Sequence, residues 1–449
     1  MKHTHNWRDR MRVELSDWQI WSGRAVVVAL AVLAGLSIVA FTWLSELAAD
    51  LFDIMRLVLW WSPLVWTPLC TAAIVWLTRR YAPGAAGSGI PQVMAALDPA
   101  LAPDKRGLFV SLRLSLAKVA LTAGGLLAGL SIGREGPSVQ IAAGVMLQAR
   151  RLLPRRALVH VNVHGMLVAG GAAGIAAAFN TPLAGVMFAI EELARAPEQR
   201  NSGLIITAIV LGGLVAVSAH GNATYFGVIH ITTIGTALLL PGLAVALCTG
   251  VAGGLFSRLM IASTAGTGLD FMSRLRARRP VLFAGVCGLL VAAIGLVTTG
   301  ATFGSGYAPT KSMVDGVATM PMLYALFKFL ATWLSTWSGV PGGIFAPSLA
   351  IGAALGNDVA VAFFHTQAPA LIALGMVGFL AAATQAPLTS FIIVMEMVDG
   401  HSMVLSLMAC AMVARTVSHV ISAPLYPVLA RQQLANATVL AGPHGGGPL

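Results

Sequence analysis

Three short segments of the chain combine glycine and proline at positions where a helix could begin. They are Gly87-Ser88-Gly89-Ile90-Pro91, Gly133-Arg134-Glu135-Gly136-Pro137 and Gly343-Ile344-Phe345-Ala346-Pro347. Glycine permits unusual backbone geometry and close approach, and proline is favoured in the first turn of a helix. A helix that starts there leaves backbone N–H groups free, with a partial positive charge at that end. One such segment is typical of an ordinary turn, but three of them favour a site that binds an anion through partial charges.

Glu135 stands out because its carboxylate would lie at the start of the second of these helices. A carboxylate is itself an anion, so it can occupy the position that another anion would take at a helix N-terminus. Protonation would remove its charge and release the side chain from that position. A single residue could then act both as a gate and as a proton acceptor. The alternative is a capping carboxylate that never moves.

The composition places these segments in a membrane. Apolar residues make up 57% of the 449 residues and charged residues only 10%, with a mean hydropathy of +0.81. Soluble proteins carry about a quarter charged residues. The 48 glycines and 22 prolines are too many for simple unbroken spans, and irregular backbone survives at membrane depth only where it lines a cavity. We therefore predict an all-α polytopic membrane protein with broken and re-entrant helices.

The second half of the chain resembles the first. Two pairs of segments carry this similarity at nearly the same spacing: 177–183 with 382–388, and 133–138 with 343–348. Pro182 and Pro387 also precede a glutamate by nine residues each, Glu191 and Glu396. Duplicated halves with Gly/Pro-interrupted segments in corresponding positions point to a substrate site near the bilayer midplane. The sequence leaves open whether the halves are parallel or inverted.

Charged and polar residues indicate the ends of the membrane region. The first 24 residues are polar and basic, and the apolar run over 25–44 is longer than that of a signal peptide. We therefore expect an uncleaved first helix with a cytoplasmic N-terminus. The compact form without a soluble C-terminal domain looks prokaryotic, and we expect a multi-pass protein of the inner (plasma) membrane. The predicted organisation is a cytoplasmic segment 1–24, a first transmembrane repeat 25–220, a second transmembrane repeat 235–431 and a disordered tail 432–449.

Other classes of function find little support in the residues present. The formal net charge of +11 resides in short basic clusters without the interleaved aromatics that nucleic-acid binding needs. The four cysteines show neither metal-ligand spacing nor a disulfide framework, and we expect no metal and no cofactor. The motifs of zinc proteases, serine hydrolases and P-loop proteins do not occur. We therefore expect a protein that is not an enzyme.

At this point the residues resemble a known family. The GSGIP, GREGP and GGIFAP segments occur in the order and spacing of the signature motifs of the CLC chloride channels and chloride/proton antiporters. The AAAFNTPLAG segment, the pair Glu191-Glu192 and a late Pro424-Leu425-Tyr426 extend the similarity over nearly the whole chain. The resemblance implies two inverted halves and a homodimer in the lipid bilayer, with one pore in each subunit.

The resemblance also implies a set of site residues. The hydroxyls of Ser88 and Tyr426 would donate to a central chloride, with serine typical of chloride rather than nitrate or fluoride proteins. The other expected chloride ligands are the backbone N–H groups of Ile344 and Phe345, with Gly87 beside Ser88 and Arg134 nearer the outer side. Pro427 departs from the expected pattern after Tyr426 and leaves the local helix geometry open.

Two more charged positions bear on the transport mode. Intramembrane carboxylates tend to mark proton relays. Glu191 has a counterpart in Glu396, which argues for a structural role, whereas Glu192 is matched by Met397. The resemblance implies that Glu192 is the inner proton-transfer residue of an antiporter, with a passive channel as the alternative.

Lys118, inside an apolar stretch, either adds to the positive field of the pore or pairs with a carboxylate.

Overall fold

The computed structural model describes residues 18–152, 162–194, 202–221, 224–229, 238–265, 271–317, 319–363 and 368–440. These residues are helical apart from their connections, and their only strand-like pairing is a single bridge between Gly133 and Gly343. The helices of the first half are α1 (Trp18–Val58), α2 (Pro63–Tyr81), α3 (Ile90–Leu97), α4 (Leu112–Leu127), α5 (Glu135–Met146), α6 (Ala149–Leu152), α7 (Val163–Phe179), α8 (Pro182–Phe188) and α9 (Ser202–His220). Those of the second half are α10 (Leu239–Ala265), α11 (Phe271–Arg278), α12 (Pro280–Val297), α13 (Tyr307–Val314), α14 (Tyr324–Trp337), α15 (Phe345–Ala362), α16 (Ala368–Thr384), α17 (Pro387–Met397), α18 (Val404–Ile421) and α19 (Leu425–Leu440).

Long and short apolar helices occur in both halves of the chain, as expected for a membrane protein with broken helices. Among the described residues, six helices are long and apolar enough to cross a membrane, and α7, α9, α16 and α17 are shorter apolar helices. The short α3 and α5 are almost entirely buried by their neighbours. Helices that end inside the protein can expose backbone groups without contacting lipid, because other helices surround them.

Both ends of the transmembrane region differ from the sequence prediction. α1 begins at Trp18 and continues to Val58, so residues 18–24 belong to the first helix, while residues 1–17 lie outside the described part of the chain. α19 runs to Leu440, so the prediction of a disordered tail is wrong for 432–440. Six of the nine residues are Gln, Leu or Ala, good helix formers that can extend an existing helix without a new nucleus. Residues 441–449 are not among those described.

Reciprocal contacts between equivalent residues show that the two halves are inverted. Gly133 N–H donates to the Gly343 carbonyl and Gly343 N–H to the Gly133 carbonyl, each at 2.7 Å. Such an antiparallel exchange between a residue and its own counterpart requires a local two-fold axis. The same axis relates Asn180 and Gln385, which both adopt left-handed backbone geometry after α7 and α16. The predicted duplication is therefore present, and the halves are antiparallel.

Candidate anion and proton site

The three Gly/Pro segments meet at the centre of the fold. The bridge between Gly133 and Gly343 joins two of them, and Gly342 N–H donates to the Gly87 carbonyl at 3.1 Å to add the third. α5 and α15 both begin within two residues of this bridge. Two helix N-termini with their free N–H groups therefore converge on one buried region, as the sequence predicted.

Glycine at 136 allows the segments to approach this closely. A Cβ atom at Gly136 would lie 2.3 Å from the Ser88 hydroxyl oxygen and 2.9 Å from the Ser88 carbonyl oxygen. Real side chains essentially never come this close, so any larger residue would push the first segment away from α5. The glycine thus places the hydroxyl of Ser88 directly beside the start of α5.

Ser88 and Tyr426 bring two buried hydroxyl groups close to each other. Ser88 is 6% exposed and Tyr426 is fully buried. The Ser88 hydroxyl lies near enough to act on the Tyr426 phenol, yet neither group meets the geometry of a hydrogen bond within the described residues. A buried donor without an acceptor is costly and usually indicates an unseen ion or water. The two hydroxyls are therefore available to an anion held between them.

The position of Tyr426 is fixed by its neighbours. Its ring stacks on Phe345 with the centroids 5.9 Å apart and the planes at 13°, so the tyrosine lies against the first residue of α15. Pro427 is the third residue of α19, in the first turn of the helix, where a missing backbone N–H costs nothing. The departure from the family pattern therefore leaves the helix geometry intact.

Glu135 lies between the two converging helix starts. It is fully buried, and a Cβ placed on Gly133 would be 2.2 Å from its Oε2 and 3.1 Å from Cδ of Pro347. Backbone N–H groups of Arg134, Ala346 and Glu135 itself are close enough to act on the carboxylate. Neither oxygen completes a hydrogen bond within the described residues. The carboxylate thus lies in the anion region without being fixed as an ordinary helix cap would be.

Lys118 supports the backbone of the first segment. Its buried ammonium donates to the carbonyl of Ala85 at 2.8 Å and to that of Gly87. Its described partners are carbonyl oxygens, so the prediction that it pairs with a carboxylate is wrong. Its amino group therefore lies within the protein, next to the segment that carries Ser88.

A second buried lysine repeats this arrangement, and the sequence analysis missed it. Lys328, also fully buried, donates to the carbonyls of Thr302 at 3.0 Å and Gly304 at 2.8 Å. The segment that it supports, Gly304-Ser305-Gly306, has the same first three residues as the segment around Ser88. The recurrence of Gly-Ser-Gly in both halves was the available signal.

Glu191 and Glu396 connect the two halves, as their duplication suggested. The Glu191 carboxylate accepts from the N–H groups of Leu388 (3.1 Å) and Thr389 (2.6 Å) at the start of α17. The Glu396 carboxylate accepts from Leu183 (3.2 Å) and Ala184 (2.8 Å) at the start of α8. Each half therefore caps a helix of the other half, which confirms the structural role of the duplicated pair.

Glu192 lies on a different kind of backbone. Residues Ala189–Ala194 form a π-helical turn that continues α8, a feature that occurs often at functional sites. Glu192 is 4% exposed. The turn that carries it packs against α3, the helix that follows Ser88, while Glu191 caps α17.

Among the residues assigned by resemblance, the structure brings most to this region. Ile344 and Phe345 are buried at the start of α15, and Gly87 precedes Ser88 with its carbonyl held by Gly342 and Lys118. Arg134 precedes α5, but its guanidinium turns away and donates to Glu46 at 2.8 Å. The contribution of Arg134 to an anion site is therefore its charge and its backbone.

Two helix starts that converge on buried hydroxyl and carboxylate groups, within an inverted repeat of membrane helices, are typical of a multi-pass membrane protein of the ion-transport class. The chain matches the family described as voltage gated chloride channel over residues 70–419 and therefore belongs to that family, the CLC family. It is 31% identical over 375 residues to the H(+)/Cl(-) exchange transporter ClcA of Citrobacter koseri, a match that spans 80% of this chain and 76% of that protein.

Solved structures share the fold. A slow cyanobacterial Cl-/H+ antiporter superposes with a TM-score of 0.78 at 23% identity, covering 93% of this chain and 99% of that one. A CLC-type fluoride/proton antiporter gives a TM-score of 0.74 at 21% identity, covering 90% and 96%. These similarities establish the architecture, and the relatives that carry a functional name are transporters rather than enzymes.

Proposed function

We propose that this protein is a secondary active transporter that exchanges chloride for protons, with Glu135 as the gate and Glu192 as the inner proton-transfer residue. The observation that carries the proposal is a buried carboxylate in the same region as two buried hydroxyls, none of which has a hydrogen-bond partner in the described residues. Chloride would accept from Ser88, Tyr426 and the N–H groups of Ile344 and Phe345, with Gly87 and Arg134 at the margins.

Exchange follows if chloride and the ionised Glu135 compete for the same helix N-termini. An ionised carboxylate occupies the site, and a protonated one leaves it to chloride. Partial charges suit this task because they hold an anion weakly enough to release it again. The names of the Citrobacter relative and of the cyanobacterial antiporter support exchange over a passive channel.

The decisive measurement uses purified protein in sealed liposomes that are loaded with high chloride and diluted into low chloride at equal pH. A potassium ionophore holds the membrane voltage. Chloride leaving the liposomes must drive protons inward, so the external pH rises until a proton ionophore dissipates the gradient. Chloride efflux without a change of pH would identify a passive channel of the same fold instead.

The two hydroxyls should set the affinity for chloride. Ser88→Ala and Tyr426→Phe each remove one hydrogen bond to an anion, and such bonds contribute about 1.5–3 kcal/mol. We expect the dissociation constant of chloride, measured by titration calorimetry, to rise about tenfold or more in either variant. Ser390→Ala is the matched control, because that buried hydroxyl already donates to the Ala386 carbonyl at 2.7 Å. Unchanged chloride affinity in both variants would remove the hydroxyls from the site.

We further propose a homodimer with one pore in each subunit, in the inner (plasma) membrane, with the N-terminus in the cytoplasm. The C-terminal end of α2 supports this orientation. If α1 crosses outward from the cytoplasm and α2 returns, then Arg79 and Arg80 at the end of α2 lie on the cytoplasmic side, as the positive-inside rule expects. The last turns of α1 then lie on the outer side.

A further inference from the structure

A water-accessible cavity leads to Glu135 from the side where α1 ends. Its volume is about 620 Å³, and Glu135 is among the residues that line it. The opposite wall carries the Gly304-Ser305-Gly306 segment that Lys328 supports. In the orientation proposed above, this cavity is the external vestibule of the gate.

The vestibule is acidic on the side formed by α1. Glu46, Asp50 and Asp53 follow one another at intervals of four and three residues, the spacing that places side chains on one helix face. Together with Glu135 they make four acidic residues in the described lining, against two basic ones, Arg56 and Arg134. A lining with this balance attracts protons and repels chloride.

Glu46 makes the contact that links this face to the gate. Its Oε1 lies 2.8 Å from Nη1 of Arg134, whose side chain is 13% exposed while that of Glu46 is 52% exposed. Arg134 directly precedes Glu135, so its charge acts on the Glu135 carboxylate. The Glu46 carboxylate is thus partly exposed to the vestibule and at the same time contacts the largely buried guanidinium of Arg134.

Other charged or titratable groups also face this region, and any effect of Glu46 must be separated from theirs. They are Asp50, Asp53 and Arg56 on α1, Glu192 on the π-helical turn after α8, Tyr225 before α10, Tyr307 on α13, Lys328 on α14 and Tyr426 on α19. Asp53 is already paired with Arg56 at 3.1 Å. Glu46 is the member of the acidic face that contacts Arg134.

We propose that Glu46 is a positioning residue for proton exchange on the outer side, which acts on the gate by neutralising Arg134. The proposal rests on Glu135 being the gate. With Glu46 ionised, the charge of Arg134 is compensated, and Glu135 can take up a proton from the vestibule. Without it, the unpaired guanidinium stabilises the ionised carboxylate in the anion site.

The test is the pH dependence of chloride-driven proton flux in liposomes, with equal pH on both sides. Glu46→Gln should move the pH of half-maximal proton flux downward by about one unit, because more acid is needed to protonate Glu135 beside an uncompensated Arg134. Glu46→Ala removes the same charge and must give the same shift, whereas Glu46→Asp keeps the charge and should stay near the wild-type midpoint. Asp104→Asn, which removes an exposed carboxylate outside this lining, serves as the matched control with an unchanged midpoint.

The outcomes separate the proposed role of Glu46 from the proposed role of Glu135 as the gate. A uniform loss of flux at every pH with an unchanged midpoint would mean that Glu46 only supports the fold, and an upward shift would contradict the sign of the effect. The thermal unfolding midpoint of each purified variant shows that the protein is folded. If Glu135→Gln still moves protons against a gradient, the gate assignment itself fails; if it does not and the Glu46→Gln midpoint is unchanged, only the role of Glu46 fails.

Discussion

Glu135→Gln is expected to abolish chloride-driven proton movement while chloride still passes. Glutamine has nearly the same size and can remain near the helix starts, but it cannot carry a proton across the gate. Positioned proton-transfer groups contribute about a hundredfold or more to the rate of such a step. We therefore expect proton flux in the liposome assay to fall by about that factor, down to the leak of protein-free liposomes.

Chloride should respond in the opposite direction. The amide carries no charge, so it no longer competes with chloride for the N–H groups at the starts of α5 and α15. Chloride affinity measured by calorimetry should be at least as high as in the wild type. This pairing of results excludes simple misfolding, which would lower both quantities together.

Asp104→Asn is a suitable control for the loss of one carboxylate. Asp104 is exposed in the connection before α4, and both fluxes should be unchanged. Continued uphill proton movement in Glu135→Gln would show that the proton takes a route that avoids this side chain. The exchange mechanism would then need another residue common to both ions.

Parts of this architecture were accessible from the sequence because they depend on local chemistry. The Gly/Pro segments, the duplicated prolines and the paired Glu191 and Glu396 are patterns of residue type and spacing. Helices begin at the Gly/Pro segments as predicted, and the two glutamates have the predicted structural role. The inversion of the halves was not accessible from the residues themselves. Periodicity contains no information about direction, and only the exchange of hydrogen bonds between Gly133 and Gly343 reveals the axis.

Features that depend on contacts between distant residues were missed. Lys328 supports its Gly-Ser-Gly segment as Lys118 supports the first one. In the second half, however, fewer residues separate the segment from its lysine. A single sequence offset between the two halves therefore cannot align the lysines and the Gly-Ser-Gly segments at the same time. Glu46 is separated from Arg134 by 88 positions and looks like an ordinary charge in a long helix. The polar face of α1 that contains it explains why the helix extends well beyond the apolar run at 25–44.

Glu192→Gln is expected to block proton transport and spare chloride transport. Glu192 lies on the π-helical turn Ala189–Ala194, 4% exposed, within electrostatic range of Tyr426. The equivalent position in the other half holds the buried Met397, so the carboxylate serves a task that only one half performs. Passing protons to the inner side is such a task, and its loss should lower proton flux about a hundredfold.

Glu191→Gln provides the sharpest comparison, because it changes the adjacent residue of the same type. Its carboxylate caps α17 through the N–H groups of Leu388 and Thr389, and an amide oxygen would replace a charged acceptor there. We expect a lower thermal unfolding midpoint, with a loss of about 1–2 kcal/mol typical of a helix cap, and chloride and proton fluxes that fall together in constant ratio.

The ratio of proton to chloride flux therefore distinguishes the two glutamates. It should drop toward zero for Glu192→Gln and stay at the wild-type value for Glu191→Gln, with both measured in the same liposome preparation. A strong loss of chloride flux in Glu192→Gln would indicate a structural role, because a side chain that serves only proton transfer should not limit chloride flux. A wild-type ratio in both variants would place the inner proton path elsewhere.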